Sequence, residues 1–376
     1  MASWRWLLVL WQLSWFQMGD SGFTSFKTSD QPGWKKQTVP TDGMYIVSVF
    51  ALPCYHCWPV VYLTVFLERR NFFMHIFTVT ADSMASHTEV AIALKQNDLL
   101  SLYESGSVQH PSSFSIAYVS GLDGSYTTVY TSSVTSSAVP QFNRLLEGSS
   151  WRMLRGNQAS SFSVPTTGMY WVTARVVPMS YTASLIVTNE LSGSASPLFT
   201  VLGEKKRAVS CSGAFRLRAG SVVKAKNLYS SMVGAHMVLS FVYLKGNRQP
   251  HTGLDEHIAF TGTLSSVQRR RYNQIITFPI HLTNYGHLYT SSGHITIHIS
   301  GSYMISLRAD PRKDVSIIFD LVVNGNVKWR SCSEDGVPSG QTIPLVLKAD
   351  DKLKVVAHDT GVLEIGSLFS IAFLNS

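Results

Sequence analysis

The chain has 376 residues, 45% hydrophobic and 14% charged, with a formal net charge of +8. That length exceeds one core and suits two or three domains, and the composition excludes a disordered chain. Serine, threonine, valine and aromatics are plentiful, and no Glu/Lys/Ala/Leu stretch runs at helical spacing, which points to an all-β fold.

The first residues carry one arginine, Arg5, and then a short apolar run that Gln12 interrupts, with small residues at Gly19, Ser21 and Gly22. The pattern predicts a secretory signal peptide over residues 1–22, and so a secreted, extracellular protein. An uncleaved anchor is the alternative, although the run is short for a membrane span.

After it the chain repeats itself. Thr38-Val-Pro-Thr-Asp-Gly43-Met-Tyr45 returns as Ser163-Val-Pro-Thr-Thr-Gly168-Met-Tyr170 and as Thr296-Ile-His-Ile-Ser-Gly301-Ser-Tyr303. In each copy a strand enters, a glycine turns the chain, and a strand with an early aromatic leaves. Further on, Leu94–Leu99, Leu217–Val222 and Leu347–Leu353 each read as strand, polar turn, strand. The copies close with Phe114-Ser-Ile-Ala-Tyr118, Leu239-Ser-Phe-Val-Tyr243 and Phe369-Ser-Ile-Ala-Phe373. The period suits duplicated domains rather than a solenoid. The predicted units are residues 23–120, 125–246 and 256–376, joined by polar turn-rich linkers. Alternation predicts that each strand buries one face, as in a sandwich of two sheets.

Several clusters are candidates for chemistry. Cys54-Tyr-His-Cys57 sits between two strand patterns beside Pro53 and Pro59. A local Cys54–Cys57 disulfide is the favoured reading, with free thiols, pairing elsewhere and redox chemistry as the alternatives. Cys211 and Cys332 lie far apart. Lys205-Lys206-Arg207 and Arg269-Arg270-Arg271 are candidate basic binding loops for an acidic surface. Neither interleaves aromatics with its charges, which argues against a nucleic-acid partner. His281, His287, His294 and His298 crowd the third unit, but four residues of strand span about 13 Å, so one ion cannot bind both His294 and His298. No Gly-x-Ser-x-Gly, His-Glu-x-x-His or phosphate-binding glycine loop occurs, so no catalytic role is expected.

The third unit resembles the globular domain of the complement C1q family, a jelly roll related to the tumour necrosis factor fold. The residues that carry this are Ala259-Phe260, Ile276-Thr-Phe278, Asn284-Tyr-Gly286-His-Leu-Tyr289, Gly293-His-Ile295, Gly301-Ser-Tyr303, Leu345-Val-Leu347 and Gly366–Leu374. The second unit is similar from Tyr126 onwards, with Glu147–Trp151 in place of Asn284–Tyr289. The first departs most: few residues precede Gly43, so the family's opening strand has no obvious counterpart, and Phe23 and Phe26 stand in the place of Phe278; unit 1 is then an N-terminally incomplete, open jelly roll, or another segment supplies the missing strand. Family domains form compact trimers, so the resemblance implies tandem jelly-roll sandwiches in which three units of one chain replace the homotrimer. It also raises calcium through Asp310, Asp314, Asp335 and Asp359, although no acidic ladder supports this and no cofactor is expected. The function it implies is extracellular recognition of a protein, glycan or microbial surface, in the manner of innate immunity. A cytokine-like receptor ligand and a structural component of a coat or matrix are the alternatives.

Overall fold

The computed structural model describes residues 23–27, 34–51, 61–69, 72–81, 86–105, 113–120, 126–130, 142, 144–148, 152–153, 160–178, 183–203, 208–226, 235–244, 258–312, 315–333 and 338–375. The predicted signal peptide, Cys54, Cys57, Lys205, Lys206, Arg207, Asp314 and Asp335 lie outside these. Among the described residues there is no helix, and the chain is all-β.

Unit 1 holds β1 (Phe23–Lys27), β2 (Trp34–Thr38), β3 (Gly43–Ala51), β4 (Val61–Arg69), β5 (Phe72–Ala81), β6 (Ser86–Leu94), β7 (Leu99–Ser105) and β8 (Ser113–Ser120). Its two antiparallel sheets run β1-β8-β3-β6 and β2-β7-β4-β5. The first, last, third and sixth strands share one sheet, which is jelly-roll connectivity. Unit 2 repeats it with β9 (Tyr126–Tyr130), β10 (Arg144–Gly148), β11 (Arg152–Met153), β12 (Ser161–Ser163), β13 (Gly168–Pro178), β14 (Ala183–Leu191), β15 (Ser194–Gly203), β16 (Val209–Leu217), β17 (Val222–Lys226) and β18 (Ala235–Tyr243). Its sheets run β10-β9-β18-β13-β16 and β11-β12-β17-β14-β15.

Unit 3 holds β19 (Ala259–Thr263), β20 (Gln268–Arg270), β21 (Gln274–Ile275), β22 (Ile280–Tyr285), β23 (His294–Thr296), β24 (Gly301–Ala309), β25 (Ile317–Val323), β26 (Asn326–Ser333), β27 (Ser339–Leu347), β28 (Lys352–Ala357), β29 (Gly361–Leu363) and β30 (Leu368–Asn375). Its sheets run β22-β19-β30-β24-β27 and β21-β28-β25-β26, with β23 also on β28 and β20 paired to β29.

The repeated glycine opens β3, β13 and β24, and the tyrosine two residues on does the same job each time. Tyr45 Oη donates to Thr41 O at 2.8 Å, Tyr170 Oη to Thr166 O at 2.8 Å, and Tyr303 Oη to Ile299 O at 2.7 Å. Each ring sits in its sandwich core. At Gly168 only glycine fits, because a Cβ there would lie 2.2 Å from Tyr243 Cε2.

Two sequence expectations are corrected. Unit 1 does have an opening strand: β1 pairs β8, with Phe26 opposite Phe114, as β19 pairs β30 with Gly262 opposite Phe369. Phe23 and Phe26 lie in that strand, whereas Phe278 follows β21, so they do not stand for it. What unit 1 lacks, among the described residues, is the edge strand that β10 and β22 supply to the other two. Second, the inner strands bury both faces. Every residue of β3 is buried. Tyr45, Val47 and Val49 face the sandwich core, while Met44 and Ile46 face away from it into a central cluster shared by all three units.

That cluster joins Met44 and Ile46 of unit 1 to Met169 and Trp171 of unit 2 and Met304 and Leu374 of unit 3. Ala91, Ala93, Ala117, Ala214, Ala259 and Ala372 complete much of it. The alanines let the inner sheets approach closely, and the single indole fills the space they leave. The three jelly rolls therefore pack their inner sheets around one pseudo-threefold axis within one chain.

Next along the axis the cluster turns polar. Ser48, Thr173 and Ser306 stand at the same step beyond the three repeated glycines. Their sheet neighbours are Glu89 and Ser115, Ser212 and Ser240, and Thr342 and Ser370. All nine are buried. Trp171 Nε1 and Thr173 Oγ1 of unit 2 donate to Glu89 Oε1 of unit 1 at 2.8 and 2.9 Å. Ser115 Oγ of unit 1 donates to Thr342 O of unit 3 at 3.1 Å. Thr261 Oγ1 of unit 3 donates to Ala214 O of unit 2 at 2.8 Å. Buried polar groups need such partners, so this layer fixes how the units meet.

Candidate functional site

With the inner sheets consumed at the axis, the faces left to meet a partner are the solvent sides of the outer sheets. The registers of the strands put these faces in correspondence, and their chemistry differs. In unit 1, Tyr62, Phe73 and Tyr103 are exposed. There Phe66 stacks on Phe73 at 4.6 Å and Thr64 bonds Thr78 at 3.1 Å. In unit 2 the same face carries Lys224, ion-paired to Glu190, and the exposed Lys226.

Unit 3 has a groove of about 280 Å³, lined by Tyr272, Asn273, Asp320, Lys354, Val356 and His358 among others. A tight turn after β20 builds one wall. Asn273 adopts a left-handed φ of 60° and its N–H donates to Ala357 O at 2.8 Å. The Arg271 N–H donates to Gln274 Oε1 at 3.0 Å. The turn holds Tyr272 out at 68% exposure, edge-on to His358 with ring centroids 5.7 Å apart.

The floor is Asp320 on β25, a carboxylate only 5% exposed. Arg330 on the neighbouring β26 grips it with both prongs, Nε to Oδ1 at 2.7 Å and Nη2 to Oδ2 at 2.9 Å. Hydrogen bonding to Asp320 pushes the Arg330 guanidinium further up its basic range. His358 Nδ1 lies 3.1 Å from Asp320 Oδ2. A forked pair of this kind is the strong form of a charge-assisted hydrogen bond, and it neutralises the carboxylate in place. Lys354, half-buried on β28, remains as a cation with no ion pair among the described residues.

The arginine run flanks this groove but does not act as one loop. Arg269 and Arg270 lie in β20, opposite Val362 and Gly361. Arg269 and Arg271 are exposed; Arg270 is half-buried, and burial lowers its pKa. The histidines of unit 3 are dispersed: His281 is on the inner sheet against Phe260 and Tyr289, and His294 is on the outer sheet beside Ser292. No group of three or more metal-binding side chains forms among the described residues. Asp359 Oδ1 accepts the Ile318 N–H at 3.0 Å and so fixes a loop, and the Asp310 carboxylate lies 3.8 Å from Arg308 Nη2. Cys211 and Cys332 are buried and are not joined in a disulfide.

Sequence reasoning names Arg269, Arg270 and Arg271, none of which lines the groove, and passes over Asp320, Arg330, Lys354 and His358. The signal was there in Ile317-Ile-Phe-Asp320-Leu-Val-Val, where one acid interrupts an apolar strand. Alternation sends that residue to the solvent side, opposite Phe319 and Leu321.

Neither a family model nor a curated protein matches the chain. Solved structures do. The globular domain of zebrafish complement 1qA protein is 14% identical with a TM-score of 0.26, over 31% of this chain and 94% of that one. Murine APRIL is 20% identical with a TM-score of 0.25, over 32% and 99%. Eiger TNF from S. frugiperda is 18% identical with a TM-score of 0.26, over 32% and 94%. Each likeness spans about one unit's share of the chain.

Proposed function

We propose that the chain is a secreted recognition protein, a one-chain counterpart of a trimer, that binds an extracellular protein, glycan or microbial surface through its outer faces. It is read as a binding protein and not as an enzyme. One observation carries this reading: all three inner sheets are buried at the axis, while the three outer faces are aromatic, basic and mixed in turn. In a homotrimer the three faces would be identical. Joining the units in one chain lets each face diverge while the axis is kept, which suits recognition of a composite surface.

The test is a glycan and microbial-surface binding screen on the full chain, with and without calcium. Saturable, salt-sensitive binding to a defined class of surface supports the reading. Tight binding to one cell-surface receptor alone moves it to the cytokine-like alternative, and spontaneous polymerisation moves it to a structural role.

A further inference from the structure

We propose that the groove on the outer sheet of unit 3 binds a single acidic sugar residue, a pyranose bearing a carboxylate or a sulfate. The inference rests on the recognition reading above and names the ligand class for one of its faces.

Lys354 is a half-buried residue lining the groove, and no carboxylate among the described residues forms an ion pair with it. The nearest acid in the groove is already committed, because Asp320 is forked by Arg330 and also approached by His358. Among the described lining residues, an incoming anion therefore meets the Lys354 cation over a carboxylate already neutralised by Arg330. Arg269 and Arg271, exposed in the segment that leads into Tyr272, and the net charge of +8 add long-range attraction for an anion.

Tyr272 turns an anion site into a sugar site. A large ring held 68% exposed by a built turn is costly to leave in water and supplies a flat apolar platform. The apolar face of a pyranose matches such a platform. The adjacent Asn273 side-chain amide offers both donors and an acceptor for hydroxyls. Free phosphate would use Lys354 but leave Tyr272 idle. The groove, at about 280 Å³, is just below the ~300–1,000 Å³ of drug-sized pockets, which is room for one sugar residue of a longer chain.

Among the described residues, the corresponding faces of the other units lack this combination. Unit 1 has the aromatics, and the described residues there place its lysine, Lys36, in an ion pair with Glu68. Unit 2 has the lysines, and Lys224 is held by Glu190.

The experiment is calorimetric titration of the full chain with three hexasaccharides: sulfated heparin, carboxylate-only hyaluronan, and a neutral glucan. The variants are Lys354→Gln, Tyr272→Ala, Tyr272→Phe and, as a control on unit 2, Lys226→Gln. The expected result is binding of at least one acidic hexasaccharide and not of the glucan. Lys354→Gln and Tyr272→Ala each weaken it by roughly tenfold, while Tyr272→Phe and Lys226→Gln hold the wild-type affinity. The two acidic ligands separate sulfate from carboxylate. Equal binding of the glucan, or acidic binding that neither Lys354→Gln nor Tyr272→Ala weakens, overturns the site and leaves the recognition reading standing. Binding of none of the three overturns the site, while a positive surface screen would still support recognition by another face.

Discussion

Arg175 Nη2 of unit 2 donates to the Thr78 carbonyl of unit 1 at 3.1 Å, and its Nε donates to Thr88 Oγ1 at 3.1 Å. Arg308 stands at the same step of unit 3 and reaches the Thr200 carbonyl of unit 2. The third place in this ring belongs to Phe50 of unit 1, which packs on Cys332 and Ile318 of unit 3. Each unit thus grips the outer sheet of the next around the axis, twice by arginine and once by an aromatic ring. Arg175 is buried, and burial lowers its pKa to about 10. Replacing it with alanine strands a buried carbonyl and opens a void at the junction. Arg175→Ala is expected to cost about 2–4 kcal/mol, read as a lower urea midpoint. Arg175→Lys restores little of this, because an ammonium lacks the planar fork that serves Thr78 and Thr88 together.

The polar layer sets a pH dependence of stability. Burial pushes the Glu89 carboxyl up from its ordinary 4.5, so the folded chain keeps a proton that the unfolded chain releases above that pH. Stability linked to Glu89 is therefore full below 4.5 and falls as pH rises, by at most about 1.4 kcal/mol per pH unit. Burial drives His87 the other way, from 6.5 to about 3, with its Nε2 3.0 Å from Ser48 Oγ. The unfolded chain binds a proton there below 6.5 that the folded chain refuses, so that contribution is lost as pH falls towards 3. Between 4.5 and 6.5 the two slopes oppose each other. Denaturation curves of Glu89→Gln across pH are expected to gain on wild type from pH 4.5 upwards. Those of His87→Asn gain from pH 6.5 downwards. A difference curve flat in pH for either variant refutes its assignment.

The three tyrosine-to-carbonyl bonds lie in separate cores and share no partner. Each of Tyr45→Phe, Tyr170→Phe and Tyr303→Phe removes one hydroxyl donor and leaves the ring packed. Each is expected to cost about 0.5–1.5 kcal/mol, and the triple variant about the sum of the three. A triple variant far less stable than the sum would show that the bonds act jointly through the axis.

The repeat was legible because the same physics recurs at the same step. A glycine turn, a tyrosine corner and an alternating closer mark Gly43, Gly168 and Gly301 and place the central strands of all three inner sheets. The resemblance implies the axis, but the residues that line it are not legible from alternation, which assigns each strand only one buried face. Yet Met44-Tyr-Ile-Val-Ser-Val-Phe-Ala51 is apolar at nearly every position, the pattern of a strand covered on both sides. Glu89 and Arg175 were missed for the same reason: in a strand with one wet face a charge is unremarked, and only burial of both faces gives it meaning. The opening strand of unit 1 escaped because its register comes from β8, a partner ninety residues away in sequence, and short strands carry little signal alone.

Trp171 decides the assembly. It is 1% exposed in the central cluster, and Ile46 and Met304 occupy its place in the other two units. Three indoles at that level would overfill a cluster whose close packing depends on its alanines. The axis therefore fits one copy of each unit, not three copies of any. Light scattering on the full chain is expected to give the mass of one chain, and a stable trimer of chains would contradict the closed axis. Trp171→Ala leaves a large cavity and takes the indole donor from Glu89, for an expected loss of about 3–5 kcal/mol. Trp171→Phe keeps most of the volume and loses the donor. The difference between the two variants in urea midpoint therefore separates packing from the hydrogen bond. If Trp171→Phe proves as damaging as Trp171→Ala, the indole acts at the axis mainly as the donor to Glu89 and only secondarily as filler.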